Sequence, residues 1–231
     1  MRFAPRALPT VAAIVAALAF SALGNWQLGR AQEKRALAAD FARETPAIDL
    51  RALAGDAPRY QRVIAHGSYD NERQFLLDNM SHAGQAGVLV LTALRLADGS
   101  AVLVNRGWLP LDPAREALPE VAVTAGPRTV SGRLDDLPRP TIRLDAPQAG
   151  GWPRLVQYPR IDELSAMFGR ELHPRVILLD AALPDGYVRE WAVPGATPDR
   201  HLGYAVQWFA FAALAVAIWI ALGLQRDGES P

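Results

Sequence analysis

The sequence contains no cysteine. That excludes disulfides, a thiolate metal site and a thiol nucleophile. It leaves the redox compartment open, because a chain without cysteine suits either side of a membrane. Lysine is nearly absent: Lys34 is the only one, and the other basic residues are arginines spread along the chain. This spread reads as genome composition. Formal net charge is zero, so there is no basic stripe for nucleic acid and no field to hold a charged partner. No glycine-rich phosphate loop follows a strand pattern. His66, His82 and His173 are far apart in sequence and lack the i,i+4 spacing of a helical metal site. The acidic pairs Asp135-Asp136 and Asp162-Glu163 read as a solvated loop and the first turn of a helix. No nucleophile, base and orienting group can be assembled from spacing. Nothing in this inventory argues for an enzyme.

What the chain has instead is two long apolar runs, one near each end. Residues 202–224 carry no charge, and only Gln207 is strongly polar. At about 1.5 Å per residue the run reaches roughly 34 Å, enough to cross a hydrocarbon core of about 30 Å. It is apolar on every face, as a span must be. Trp208 and Trp219 can anchor it at the interfaces. The run from Leu8 is broken only by Pro9, Thr10 and Ser21 before "GNWQLGR" begins. Two readings fit it: a retained span, or a secretory signal with Arg2 and Arg6 ahead of an apolar core. The flanking charges do not orient it, since Arg2 and Arg6 on one side face Arg30, Lys34 and Arg35 on the other.

Between the runs lies one domain with no internal repeat. Residues 32–43 have helical spacing, and Pro46 follows. The pattern then turns to short β-like runs: "YQRVIAHGSY", "RQFLLDN", "RTVSGRLD", "RLVQYP", "RVILLDAAL" and "YVREWAV". The clearest unit is a hairpin over residues 88–108. Val88, Val90, Thr92, Leu94 and Leu96 share one face at period two, Asp98-Gly99 supplies the turn, and Val102, Val104 and Arg106 alternate on the return. "RIDELSAMFG" reads as a short helix that Asp162 caps and Gly169 ends. The proline-rich stretch 135–153 reads as surface loop.

Two stretches remain. "VNRGW" puts Arg106 and Trp108 at the end of the strongest strand. Either Arg106 pairs with a carboxylate of its own domain while Trp108 packs, or both face the membrane or the acid groups of a ligand, which a guanidinium fork binds well. "HLGYAVQW" opens the second run. His201, Tyr204 and Trp208 fall at roughly 0°, 300° and 340° on a helical wheel, so they share one face. They form either an aromatic belt at the headgroups or a metal-ligating imidazole with rings to pack on a flat macrocycle.

These stretches, with "GNWQLGRAQEK", "GSYDNERQFLLDN" and "GQAGVLVLTALRLADGSAVLVNRGWLP", resemble the surfeit locus protein 1 family over about residues 24–212. The resemblance implies an assembly factor for haem–copper cytochrome c oxidase that is not an enzyme. It implies a transient haem a carrier that delivers to oxidase subunit I and works beside haem a synthase in membrane lipid. The family's haem-associated histidine falls on His201, with Tyr204 and Trp208 flanking the macrocycle and Arg106 and Trp108 as further candidate contacts. It also resolves the first run as a retained span. The expected fold is a membrane protein with two transmembrane α-helices, 8–28 and 202–224, flanking a β-rich (α+β, mostly antiparallel) extracytoplasmic domain over 31–200. A short stretch before the first span, without an Arg- and Ser-rich leader, points to a bacterial inner membrane with both termini cytoplasmic. The sequence departs from the family pattern at Arg200, Val88 and Gln207, where members often have Asn, an aromatic and Thr. Two rivals stay open: a scaffold that stabilises subunit I without touching haem, and a membrane-anchored sensor with an external ligand-binding domain.

Overall fold

A computed structural model describes residues 2–53, 57–112, 117–138, 151–193 and 195–225. Residues 139–150 of the proline-rich stretch and Arg226 lie outside the described residues. In chain order the elements are β1 (Arg2–Phe3), α1 (Ala7–Ala42), β2 (Ile48–Asp49), a 3-10 turn (Leu50–Ala52), β3 (Arg62–His82), β4 (Gln85–Leu96), β5 (Ala101–Pro110), β6 (Pro127–Asp135), β7 (Arg154–Val156), α2 (Ile161–Phe168), β8 (Val176–Leu179), α3 (Pro198–Gly223) and β9 (Leu224–Gln225). They form two compact units: α1 and α3 in one, and Glu44–Trp191, which holds the sheet, in the other.

α1 is one helix of 36 residues, about 54 Å long. It joins two pieces that the sequence reading kept apart, the first apolar run and the helical stretch 32–43. Hydropathy falls at Arg30 but helix propensity does not, because Ala, Leu, Glu, Lys and Arg all favour helix. Both long helices carry an apolar window of which only 6% is buried against protein. A core helix of a water-soluble protein would bury most of that surface, so lipid is the environment that accounts for it. The chain is a two-span membrane protein. The helices run antiparallel, with Trp219 Nε1 donating to Thr10 Oγ1 at 2.9 Å near one end. Gly24 lies under the ring of Phe209, where an added Cβ would come within 2.8 Å of it. Small residues at such crossings let two spans approach.

In the sheet unit, β3–β4, β4–β5, β3–β6 and β6–β8 pair antiparallel over long stretches. Three parallel contacts, β2–β3, β3–β7 and β5–β8, are only two or three residues each. Because β6 pairs with both β8 and β3, the order β3-β4-β5-β8-β6 closes into a ring. Every strand of the ring sends apolar side chains inside. Val63, Ala65, Leu94, Leu96, Val102, Val104, Val130, Leu134, Ile177 and Leu179 form one buried cluster, as the interior of a small barrel requires.

The hairpin forms as read, with Leu94 opposite Val102 and Thr92 opposite Val104. Its turn takes residues 97–100, with Gly99 at φ 86° and Asp98 Oδ1 accepting from Ser100 N at 2.9 Å. The period-two face of β4 is interrupted, however. Val88 and Val90 belong to a second cluster with Leu76, Leu111 and Val121, and Thr92 lies between the two. Leu91 and Ala93 on the other face are buried too.

Four further readings are corrected. "YQRVIAHGSY" and "RQFLLDN" are one strand, β3, bent where residues 70–73 bulge out between the pairs Tyr69–Leu94 and Gln74–Thr92. Asp70 organises that bulge: its carboxylate accepts from the backbone N–H of Glu72 and Arg73 and pairs with Arg95. Asp162 does not cap α2. Arg160 precedes the helix, Glu163 reaches back to its N–H at 3.0 Å, and Asp162 pairs with the Arg160 guanidinium instead. Asp135 is not a solvated loop residue, since Arg59 Nε donates to it at 2.5 Å in a part-buried setting. Burial there outweighs the Arg59 pairing and pushes the Asp135 carboxyl up. "YVREWAV" contributes only an isolated bridge, Val188 to Trp108.

Val104 is wholly buried in the ring interior. Val104→Asp is therefore expected to place an unpaired carboxylate there and to cost several kcal/mol, about 3 or more. Limited proteolysis of membranes checks this. A variant that accumulates and resists digestion like the parent would remove Val104 from the core.

Candidate functional site

His201 stands in the first turns of α3. Thr197 caps that helix, its hydroxyl accepting from Arg200 N at 3.4 Å, and Pro198 occupies the first position, where a missing N–H costs nothing. This start puts the imidazole beside α1. Gln27, buried on α1 and part of "NWQLGR", lies with Oε1 at 2.7 Å from His201 Nδ1. An amide oxygen only accepts, so Nδ1 is the nitrogen that can donate in this bond. Nε2 has no hydrogen-bond partner among the described residues. One ring nitrogen held by a hydrogen bond and the other left open is the arrangement that metal-ligating histidines use.

The three residues read as one face do not have equivalent surroundings. Trp208 stacks on Phe20 with centroids 5.8 Å apart and meets Phe211 edge-on at 5.9 Å. It is thus held between the spans. Tyr204 is 41% exposed, with the Arg200 guanidinium 6.0 Å from its ring. The site offers an imidazole nitrogen and aromatic faces in an apolar setting. It offers no acid or nucleophile.

Arg106 and Trp108 belong to the sheet unit, and neither is presented at its surface. Arg106 is 2% exposed and Trp108 7%. Trp108 packs, as one reading of "VNRGW" has it, but Arg106 is bonded to neutral acceptors and has no carboxylate partner among the described residues. Its Nε donates to Asp185 O at 2.6 Å, Nη1 to Val121 O at 2.7 Å, Gln74 Oε1 at 3.1 Å and Thr92 Oγ1 at 3.2 Å, and Nη2 to Tyr187 Oη at 3.3 Å. Burial pushes the guanidinium's pKa below its usual value. The Tyr69 phenol, 5.9 Å below it by ring centroid, is pushed up to about 12 by its own burial and stays neutral. Arg106, Gln74 and Thr92 thus form a polar layer between the two apolar clusters. Gly107 makes room for it: at φ 109° a Cβ would come within 2.6 Å of Val188 O. Trp108 donates Nε1 to Met80 O at 3.0 Å, and its ring lies 5.2 Å from that of His82.

The other histidines lie in the sheet unit. His66 bonds Thr129 at 3.0 Å, and His173 Nδ1 takes the N–H of Arg175 at 3.1 Å. Among the described residues no group of three His, Asp or Glu could hold a metal ion. Gln27 is the site residue that the sequence reading missed. A buried amide in an otherwise apolar span was the available signal.

Residues 14–213 of the chain, which reach into both spans, match the SURF1 family. The chain belongs to that family. It is similar to a SURF1-like protein of Monosiga brevicollis, 27% identical over 230 residues that cover 90% of this chain and 85% of the relative. An uncharacterised SURF1-like protein of Mycobacterium tuberculosis is 26% identical over 220 residues, 90% of this chain and 79% of the relative. A SURF1-like protein of Caenorhabditis elegans is 24% identical, with 85% and 66% covered. The SURF1 match takes in both Gln27 and His201, one on each span.

Proposed function

We propose that this SURF1-family chain is an assembly factor for cytochrome c oxidase that binds haem a transiently through His201 and delivers it to subunit I. The family as a whole is linked to cytochrome oxidase assembly and is not an enzyme class. The observation that carries the finer reading is the Gln27–His201 pair, which leaves Nε2 of the imidazole without a hydrogen-bond partner among the described residues at the mouth of a span. Haem suits that donor set: its iron takes an imidazole nitrogen, and its apolar periphery suits lipid-facing rings. His201 would hold the iron, and the exposed Tyr204 would lie against the macrocycle. Trp208, already stacked, would act by fixing α3 on α1. When bound, the iron would supply the coordination bond. The chain's own part is to bind, orient and release. One protein ligand suits release to an acceptor that binds more firmly. Haem a synthase and lipid are the neighbours this role requires. The test is the visible spectrum of full-length protein purified from cells that make haem a. A carrier retains a chromophore, and a scaffold emerges colourless.

The proposed location is a bacterial inner membrane, with both termini in the cytoplasm and the sheet unit outside. Two antiparallel spans support a shared side for the termini. Alkaline phosphatase inserted after Asp98 is expected to be active, and the same enzyme fused after Gln225 inactive. The reverse pattern would invert the topology.

A further inference from the structure

Gln27 is the buried polar side chain of α1, 9% exposed, and its recorded partner is His201 on α3. Nothing in hydropathy requires an amide at this place, and a leucine would pack against α3 at less cost in lipid. A polar group inside a span finds its use in a hydrogen bond between helices or at a functional centre. Here the bond does more than join two helices. A free imidazole exchanges its proton between Nδ1 and Nε2, and only the nitrogen without the proton can ligate. With Oε1 at 2.7 Å from Nδ1, the Nδ1–H form gains a hydrogen bond. The Nε2–H form would set two lone pairs against each other.

We infer that Gln27 is a positioning residue: it selects the Nδ1–H tautomer of His201 and fixes the ring plane, so that Nε2 alone is offered to a haem iron. This rests on the haem reading for its purpose, but the tautomer is a property of the protein without haem. Ligating histidines gain from such partners because the bond fixes orientation and raises the basicity of the donor nitrogen. Removing the partner typically weakens metal affinity about 10- to 100-fold.

Two measurements test it. In haem-free, histidine-15N-labelled full-length protein in lipid nanodiscs, nitrogen shifts of His201 should report a protonated Nδ1 and a bare Nε2, assigned by their loss in His201→Ala. The opposite pattern, with Gln27 donating through its amide nitrogen, overturns the inference whatever haem does. Haem titration of variants then tests the consequence. Gln27→Leu removes the acceptor at similar size and should weaken haem binding about 10- to 100-fold. Gln27→Glu keeps an acceptor at the same reach and should restore affinity, whereas Gln27→Asn, one methylene shorter, should not. Equal affinity in Gln27→Leu and the parent would sink the positioning role, provided His201→Ala has lost haem. Retention of haem by His201→Ala would instead sink the ligand reading and leave the nitrogen shifts to judge Gln27 alone.

Discussion

His201→Ala protein, purified from cells that make haem a, is expected to lack the Soret band that the parent carries. The effect should be near total, because the substitution removes the nitrogen proposed to ligate the iron. The fold should survive it. α3 keeps its Thr197 cap, the Phe20–Trp208–Phe211 aromatic contacts, the Gly24–Phe209 crossing and the Trp219–Thr10 bond. Loss of one interhelical hydrogen bond in lipid costs only about 0.6 kcal/mol on average. His66→Ala, His82→Ala and His173→Ala should keep the spectrum, since these residues belong to the sheet unit and not to the spans. Trp208→Ala should weaken haem retention without abolishing ligation, by loosening α3 against Phe20. An unchanged spectrum and haem stoichiometry in His201→Ala would make His201 a headgroup-level residue, and the scaffold reading would lead.

The second large effect is expected at Arg106. Arg106→Met keeps much of the volume and removes every donor. Two opposing terms decide the outcome. Burying a guanidinium with no direct carboxylate partner is costly, and an apolar replacement relieves that cost. Against this, the carbonyls of Val121 and Asp185 and the Gln74 amide lose a buried donor, at about 1–3 kcal/mol for each group left unsatisfied. Those carbonyls belong to segments that the guanidinium ties onto β5, so they cannot all turn to water without unpacking. The net loss should be about 3–5 kcal/mol, a large share of a total near 5–15 kcal/mol. Arg106→Lys should be nearly as harmful, because an ammonium lacks the planar fork that reaches both segments. Thermal unfolding of the sheet unit by near-UV circular dichroism reads the loss. A melting temperature equal to the parent's would show that the polar layer adds nothing. The haem spectrum of the folded fraction should be unaffected, which separates this structural role from the ligand contact expected of Arg106.

The spans and the hairpin were legible because each rests on a local pattern: unbroken apolar length for 202–224, and period two around Asp98-Gly99. Ring closure was not, since the β3–β6 and β5–β8 pairings join segments far apart in sequence and leave no mark on either. Arg106 was misread because an arginine at a strand end looks the same whether it faces outward or inward. Its partners are mostly backbone carbonyls, which any sequence supplies. His201 was visible as a single imidazole beside an apolar run. Gln27 was passed over because its meaning depends on the antiparallel crossing that sets residue 27 opposite residue 201.

The closed ring also limits how another protein can take hold of this one. A sheet with a long open border invites a foreign strand to pair with it, whether a partner's or that of a second, misfolded copy. Here β4 and β6 have strands on both sides, and the backbone of β5 beyond β8 is bonded by Tyr187 and Val188. Among the described residues the open lengths are short: β2 and β7 have two and three residues, and β3 beyond β7 runs only over residues 78–82, with a bulge before Met80. Such lengths offer few backbone groups for strand addition. Strand addition on the sheet unit is therefore confined to short lengths of edge, which leaves newly made copies little backbone through which to zip together.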